Sequence, residues 1–548
     1  MNSKTKLFIQ NSLIFVSGII FSILITSWAF SDHFFKLTMD GYIHLERFKS
    51  IKEALENNSL PPLVNFIGFG NVGEIFTAMY PWLTGVIFII PELLFSNPMH
   101  ALFFGFTLLN FLTIVNSYLM VRYLTKNIWI RLVGITIYEL NAYHMALMYS
   151  RNALGEALAY TFIPLVFLGI FKIWNHNSRG ILITGIGMGL VINSHVITSL
   201  VITAIIIIIE SYRILTKKFT FEELKHFLLS ALIATLISLY QLINMIWIIC
   251  QNHIMLTWRG IQTVSLKNTF DVMLNNQITD HQDVFNMGLL PSVLLIFFSF
   301  IALSEKKGSW KKYILLSLIL FFLTFDFITY PTWLTKSFAG TIQFAGRLLG
   351  FVVLFLTIGM VLFLNKRLSL KESKILFFTI IFMLSLMSEN AVNKFHYLKN
   401  DDPIRYYLTS KNFNKTLSLY SYGSSDYILA KKDNKGYLKK TDTLPNKYLV
   451  TEHYDNLTLK INSKRKKNKK INFFFYKGIS YNVTLNNKRI TNYGHKRLNL
   501  HLEKGSNIVK ISSGTAWWNY ITFFISLITL FATILLTFCK HTIVSTPY

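Results

Sequence analysis

Apolar stretches long enough to cross a membrane recur along the chain, separated by short polar segments that hold most of its lysines and arginines. A helix needs ~20 apolar residues to cross a hydrocarbon core. Such windows fall at 8–30, 100–122, 128–148, 156–173, 181–193, 197–212, 226–250, 288–304, 312–329, 347–365, 374–391 and 517–539. The pattern predicts an all-α polytopic membrane protein of about twelve transmembrane helices, two of them short. A further apolar run, 76–95, is interrupted by Pro81 and Pro91 and carries Glu92. Between 394 and 516 the period changes: "NLTLKINS", "KINFFFYKG", "ISYNVTLNNKRI" and "RLNLHLEKGSNIVKISS" alternate as strands do. Turn signals at Asn486-Asn487 and Lys504-Gly505 predict an antiparallel β-sandwich there.

The basic residues orient these elements. With the N-terminus inside and 76–95 not crossing, the inner loops gather Arg122, Lys126 and Arg131, then Arg213, Lys217 and Lys218, then Lys306, Lys307 and Lys311, then Lys366, Arg367 and Lys371. If 76–95 crossed, each cluster would move outside, against the positive-inside rule. We therefore expect 76–95 to be an interfacial or re-entrant helix on the outer face. The expected organisation is a transmembrane domain at 1–393 with a first outer loop at 31–99, an extracytoplasmic β-domain at 394–516, and a last span with a short cytoplasmic tail at 517–548. Both termini are expected in the cytoplasm of a bacterium. The basic head "MNSKTK" precedes an apolar run too long for a signal-peptide core, which reads as an uncleaved anchor.

Composition narrows the partners. Hydrophobic residues make up 52% of the chain and the formal net charge is +27. In a membrane protein such an excess points to anionic lipid before nucleic acid, and no nucleic-acid partner is expected. The run "SKRKKNKK", Ser463 to Lys470, reads either as a solvated loop or as a contact for anionic cell-wall polymer or lipid head groups.

Candidate chemistry sits in the outer segments. In "MDGYIHLERFKS" helical steps of ~100° place Asp40, His44, Arg47 and Ile51 in one stripe. Glu46, Lys49, Lys52, Glu53 and Glu56 fall opposite, as a solvated face. Asp40 also suits a helix cap, which leaves catalysis open. "YSRNALGEALAYTFIP" brings Arg151 and Glu156 to the outer start of a span, "NSHVITS" places His195 at a break, and "TIQFAGRLLGF" brings Gln343 and Arg347 to another outer mouth. Singly, the arginines could snorkel and the histidine bond locally. Jointly, one topology carries them to one face, and charge near membrane depth is costly enough to mark a site. An acid beside cations suits removing a proton from an acceptor hydroxyl while neutralising a departing phosphate.

At these residues the chain resembles the GT-C superfamily of polyprenyl-phosphate-dependent glycosyltransferases, through "MDGYIHLERF", "MYPWL", "VRYLTKNIWIR" and "YSRNALGEALAYTFIPLVFLGI". It is most similar to the bacterial branch described as YfhO-like or 6-pyruvoyl-tetrahydropterin synthase-related, whose outer β-domain "FFFYKGISYNVTLNNKRI" also resembles. No histidine triad with zinc-ligand spacing supports the pterin label. The resemblance implies that Asp40 is the general base and that Arg151 and Arg347 face a lipid-phosphate sugar donor; the residue pattern itself adds His44, Arg47, Glu156, His195 and Gln343 as substrate-binding candidates. Gly41 stands where many members carry a second acid, so the sequence assigns no cofactor and leaves a divalent metal open. The expected activity moves a sugar from a polyprenyl-phosphate carrier to an extracytoplasmic acceptor, a glycan, teichoic acid or lipid. The alternative is a transporter or flippase of lipid-linked saccharides, which calls for mid-span charges such as Glu139 and matched halves.

Overall fold

A computed structural model of the chain describes residues 3–399, 405–419, 426–430, 443–491, 493–494 and 497–539. Two compact units share the chain. The first comprises Met1–Gly41, Met99–Ala234 and Trp258–Ser410, and the second Tyr42–Pro98, Thr235–Thr257 and Lys411–Tyr548. The sequence boundaries at 393 and 516 run differently, because most of the first outer loop, Tyr42–Pro98, groups with the β-strands and with the last span.

Seven described helices are long and apolar enough to cross a membrane: Ser12–His33, Pro98–Leu124, Leu154–Trp174, Val196–Leu215, Ala345–Arg367, Leu370–His396 and Trp517–Thr537. Phe221–Ile237 and Leu239–Gln251, bent by 76°, make an eighth if counted as one span. By length and apolarity the described residues thus show seven or eight spans, against twelve sequence windows. Arg179–Ile192 and Leu289–Ser304 fall short of a full span. The window at 312–329 holds a helix only over Lys311–Phe322, and that at 128–148 breaks after Ile128–Glu139 into a short helix and a π turn. Run 76–95 is also broken, into Phe76–Met79 and an apolar helix over Leu83–Leu94, each too short to cross alone.

In the first unit the Leu154–Trp174 helix is nearly all buried, and its main neighbour is Arg179–Ile192. Small residues let those backbones meet, as in membrane helix pairs generally. A Cβ on Gly169 would lie 2.2 Å from Thr184 Oγ1, and one on Gly180 2.6 Å from the Gly169 carbonyl oxygen. The Leu349–Arg367 helix is similarly enclosed. A short strand, Phe35–Leu37, pairs antiparallel with Tyr406–Leu408 and sets the entry to the helix Met39–Glu56.

In the second unit a five-stranded antiparallel sheet runs in the order Leu449–Glu452, Asn456–Ser463, Gly505–Gly514, Ser480–Leu485, Lys488–Arg489. A separate antiparallel pair joins Lys467–Asn472 to Arg497–Leu502. The alternation is explicit: Leu457, Leu459 and Ile461 are buried, as are Leu498, Leu500 and Leu502, and all belong to one apolar core. Val64, Phe66, Val72 and Ile75 of the first outer loop complete that core. Phe474 N donates to the Val72 carbonyl at 2.8 Å. Gly73, at φ +73°, passes so close to Phe473 that a Cβ would lie 2.4 Å from Cζ. Five of the eight residues of the lysine-rich run, Ser463 and 467–470, lie in strands rather than in a loop.

Candidate functional site: two buried ion pairs in the helical unit

The first pair is Asp40 with Arg151. A π turn over Ala146–Ser150, a geometry frequent at functional sites, ends with Arg151 N donating to the Ala146 carbonyl at 2.8 Å. Asn152 follows at a left-handed φ of 53°. Its Oδ1 accepts from Thr38 N at 2.8 Å, and Thr38 Oγ1 donates to the Arg151 carbonyl at 2.8 Å. These bonds hold the start of the Met39–Glu56 helix on residues 151–152. Arg151 Nε then donates to Asp40 Oδ2 at 2.8 Å, with the arginine side chain 11% and the aspartate 32% exposed. Asp40 lies inside the first turn of its helix and carries an ion pair there. Burial opposes charge on Arg151, but the Asp40 and Glu156 carboxylates outweigh it and raise the guanidinium above its ordinary value.

The second pair is Glu156 with Arg347, joined by Arg347 Nε donating to Oε2 at 3.1 Å with each side chain 9% exposed. Tyr143 Oη donates to Glu156 Oε1 at 2.6 Å. Arg347 Nη1 donates to the Ile342 carbonyl at 2.6 Å and to Gln343 Oε1 at 3.0 Å. Gln343 is itself anchored on the Trp258 carbonyl at 3.0 Å, and its φ of 61° is strained for a side chain with a Cβ. The Phe344 ring links the two pairs, lying 5.2 Å from the Arg151 guanidinium and 5.0 Å from that of Arg347.

His195 is buried at the start of Val196–Leu215, its Nδ1 within 2.8 Å of Thr198 Oγ1. Burial, reinforced by Arg347 and Arg151 against an opposing pull from Glu156, pushes its imidazole down to about 3. It therefore acts as a neutral hydrogen-bonding group and not as one of the expected cations. Glu156, Tyr143, Arg347 and Thr198 border a cavity of about 10 Å³, room for roughly one water.

Six of the eight sequence candidates, Asp40, Arg151, Glu156, His195, Gln343 and Arg347, thus belong to the helical unit. The other two, His44 and Arg47, belong to the second unit. There Arg47 Nη2 donates to the Pro81 carbonyl at 2.6 Å and Nη1 lies 3.2 Å from His44 Nδ1, while the guanidinium covers the Tyr80 ring at 4.5 Å. That guanidinium is held on the "MYPWL" backbone. Glu46 corrects the sequence reading. It is buried, not solvated, with Oε2 accepting from Phe69 N at 3.0 Å. Tyr143 and Phe344 carried no sequence signal, since an aromatic in or beside an apolar window reads as core.

A divalent metal does not fit this site. Among the described residues no three His, Cys, Asp or Glu side chains group as ligands, and both carboxylates already face guanidinium groups. Gly41 also has no room for a second acid: a Cβ there would lie 2.5 Å from Leu37 Cδ1 and 2.9 Å from Asn152 Oδ1.

Comparison with known proteins adds little. No family model and no curated protein matches the chain. The apo crystal structure of the Archaeoglobus fulgidus oligosaccharyltransferase aligns at 11% identity and a TM-score of 0.41, over 74% of this chain. The aligned part spans 59% of that chain.

Proposed function

We propose that the protein is an integral membrane glycosyltransferase of the GT-C type. It moves a sugar from a polyprenyl-phosphate carrier to an acceptor hydroxyl on an extracytoplasmic glycan, polymer or lipid, with the 76–95 segment and the β-domain on that outer side. The observation that carries this reading is the ordered set Asp40–Arg151 and Glu156–Arg347, bridged by Phe344 in a helical unit rich in spans. Buried charge of this kind is expensive and is retained where function needs it.

Asp40, the more exposed of the two acids, takes the proton of the acceptor hydroxyl as general base. The acceptor oxygen then bonds to the anomeric carbon from the face opposite the departing phosphate. The bond from that carbon to the phosphate oxygen breaks, and the lipid phosphate leaves with the electron pair. Arg151 and Arg347 hold the leaving phosphate, and Gln343, Tyr143 and Glu156 fix the Arg347 fork. Preformed charge of this kind acts where charge develops and needs no rearrangement at that moment. Neutral His195 contributes hydrogen bonds rather than charge.

The test is transfer itself. Purified protein is incubated with radiolabelled polyprenyl-phosphate sugars and candidate envelope acceptors, and product is scored against Arg347→Ala. Label transferred by the wild type and lost in the variant supports the reading. Movement of intact lipid-linked sugar between the leaflets of one vesicle, without transfer to an acceptor, would favour a flippase.

A further inference from the structure

The β-domain carries a charged surface that the proposed transfer does not use. Between Asn456 and Gly514 the sequence has a single acid, Glu503, and it is engaged with Lys466 at 2.9 Å. Earlier in the chain, the turn and strand expose Lys464, Arg465 and Lys470, whereas Lys467, also exposed, pairs with Leu502 and lies on the other face of the strand. Across the antiparallel pair Lys470 faces Asn499, Asn472 faces Arg497, and Asn468 faces His501, all pointing away from the buried Leu498, Leu500 and Ile471. Outward side chains repeat every ~6.8 Å along a strand and ~4.8 Å across it, so cations and amides form a regular polar ladder. Lys469 is not part of it, since its ammonium lies 3.9 Å over the Tyr448 ring.

Two observations choose between a polymer in water and lipid head groups. First, the ladder has no apolar wedge. Among the described residues from 456 to 514 the one exposed large apolar side chain is Ile508, on another strand. A membrane-docking face would carry Trp, Phe or Leu among its cations. Such residues appear instead at Trp517, 74% exposed, where the last apolar helix begins. Second, the Gly505–Gly514 strand separates the two features. Ser463, at the edge of the basic turn, pairs with Gly505, while Gly514 lies three residues before Trp517. Ten residues of strand extend ~30 Å, nearly four Debye lengths of about 8 Å at physiological salt. The basic turn thus stands away from the point where the chain enters its last span.

We infer that the exposed face of Lys467–Asn472 and Arg497–Leu502, with the 464–466 turn, is a docking surface for a linear phosphate-bearing polyanion in the aqueous phase. The ammonium and guanidinium groups neutralise successive phosphates, and the interleaved asparagines donate amide hydrogen bonds. Nothing in this depends on the transfer reaction.

The full-length protein in neutral-lipid nanodiscs is titrated with fluorescent linear polyphosphate across a salt series. The wild type should bind, with affinity falling steeply with salt. Lys464→Gln, Arg465→Gln, Lys470→Gln and Arg497→Gln together should raise Kd more than about tenfold and reduce the log–log salt slope by about 3, as four lost phosphate contacts require. Lys464→Arg and Lys470→Arg together should keep binding. Lys306→Gln, Lys307→Gln, Lys366→Gln and Lys371→Gln, also exposed cations, should leave Kd unchanged. An equal loss in that control set, or no wild-type binding, overturns the inference. So does a quadruple variant that keeps polyphosphate binding while losing adhesion to phosphatidylglycerol vesicles.

Discussion

The buried pair Glu156–Arg347 yields a test whose size follows from its surroundings. Both side chains are 9% exposed, so neither regains water when its partner is removed. Arg347→Met keeps an apolar stem but leaves the Glu156 carboxylate with Tyr143 and without its guanidinium. An uncompensated buried charge costs about 3–5 kcal/mol. Glu156→Gln is milder, because the amide oxygen still accepts from Tyr143 and Arg347 keeps the Ile342 carbonyl and Gln343 Oε1. Its expected cost is about 1–3 kcal/mol. The double variant carries neither charge and should be less destabilised than the sum of the singles by about 0.5–3 kcal/mol, the range for contacting residues. Unfolding of the four proteins in mixed detergent micelles, at one pH, measures all three terms. Single effects that add to within about 0.5 kcal/mol would refute the coupled pair.

Three further outcomes follow from single residues. Burial, partly offset by the Phe69 amide and reinforced by Glu452, raises the Glu46 carboxyl to about 8; its stabilising contribution is complete below pH 4.5 and is lost as pH climbs through 8, a change of roughly 5 kcal/mol that Glu46→Gln should abolish in a pH series of unfolding midpoints. Gly41→Ala should cost about 1–3 kcal/mol and loosen the Asp40–Arg151 pair by pushing on Leu37 and Asn152; wild-type stability and activity would show that the neighbours yield freely. Arg151→Lys should recover only part of the transfer activity lost in Arg151→Ala, because the ammonium cannot reproduce the guanidinium fork, and full recovery would reduce Arg151 to a point charge.

The sequence made the spans, the strands and most of the site legible for different reasons. Hydropathy over ~20 residues registers any long apolar helix, so the seven long spans stand out. It cannot see that Asn141 and the π turn break 128–148, or that Lys311–Phe322 ends early, because both are set by local backbone geometry. Period-2 alternation marked Leu457–Ile461 and Leu498–Leu502, but not that 42–98 would complete their core, since that contact is remote in sequence. Helical phase placed Arg47 and Ile51 correctly inside and misplaced Glu46, whose partner is the distant Phe69 amide. Polar residues at span ends gave away Arg151, Glu156, His195 and Arg347. That each arginine would already hold an acid was invisible, because pairing across 111 and 191 residues leaves no pattern.

The most direct measurement is turnover of Asp40→Asn in the polyprenyl-phosphate-sugar transfer assay, with expression, unfolding midpoint and donor binding recorded on the same preparation. Asparagine preserves the shape of the side chain and its tolerance near a helix start, at a cost of a few tenths of a kcal/mol at most. It cannot accept the acceptor's proton. The account predicts a folded protein that still binds its lipid donor and transfers sugar about 10²–10⁴-fold more slowly. Near-normal turnover in a well-folded variant would contradict it, leaving Asp40 as the structural partner of Arg151 and no more.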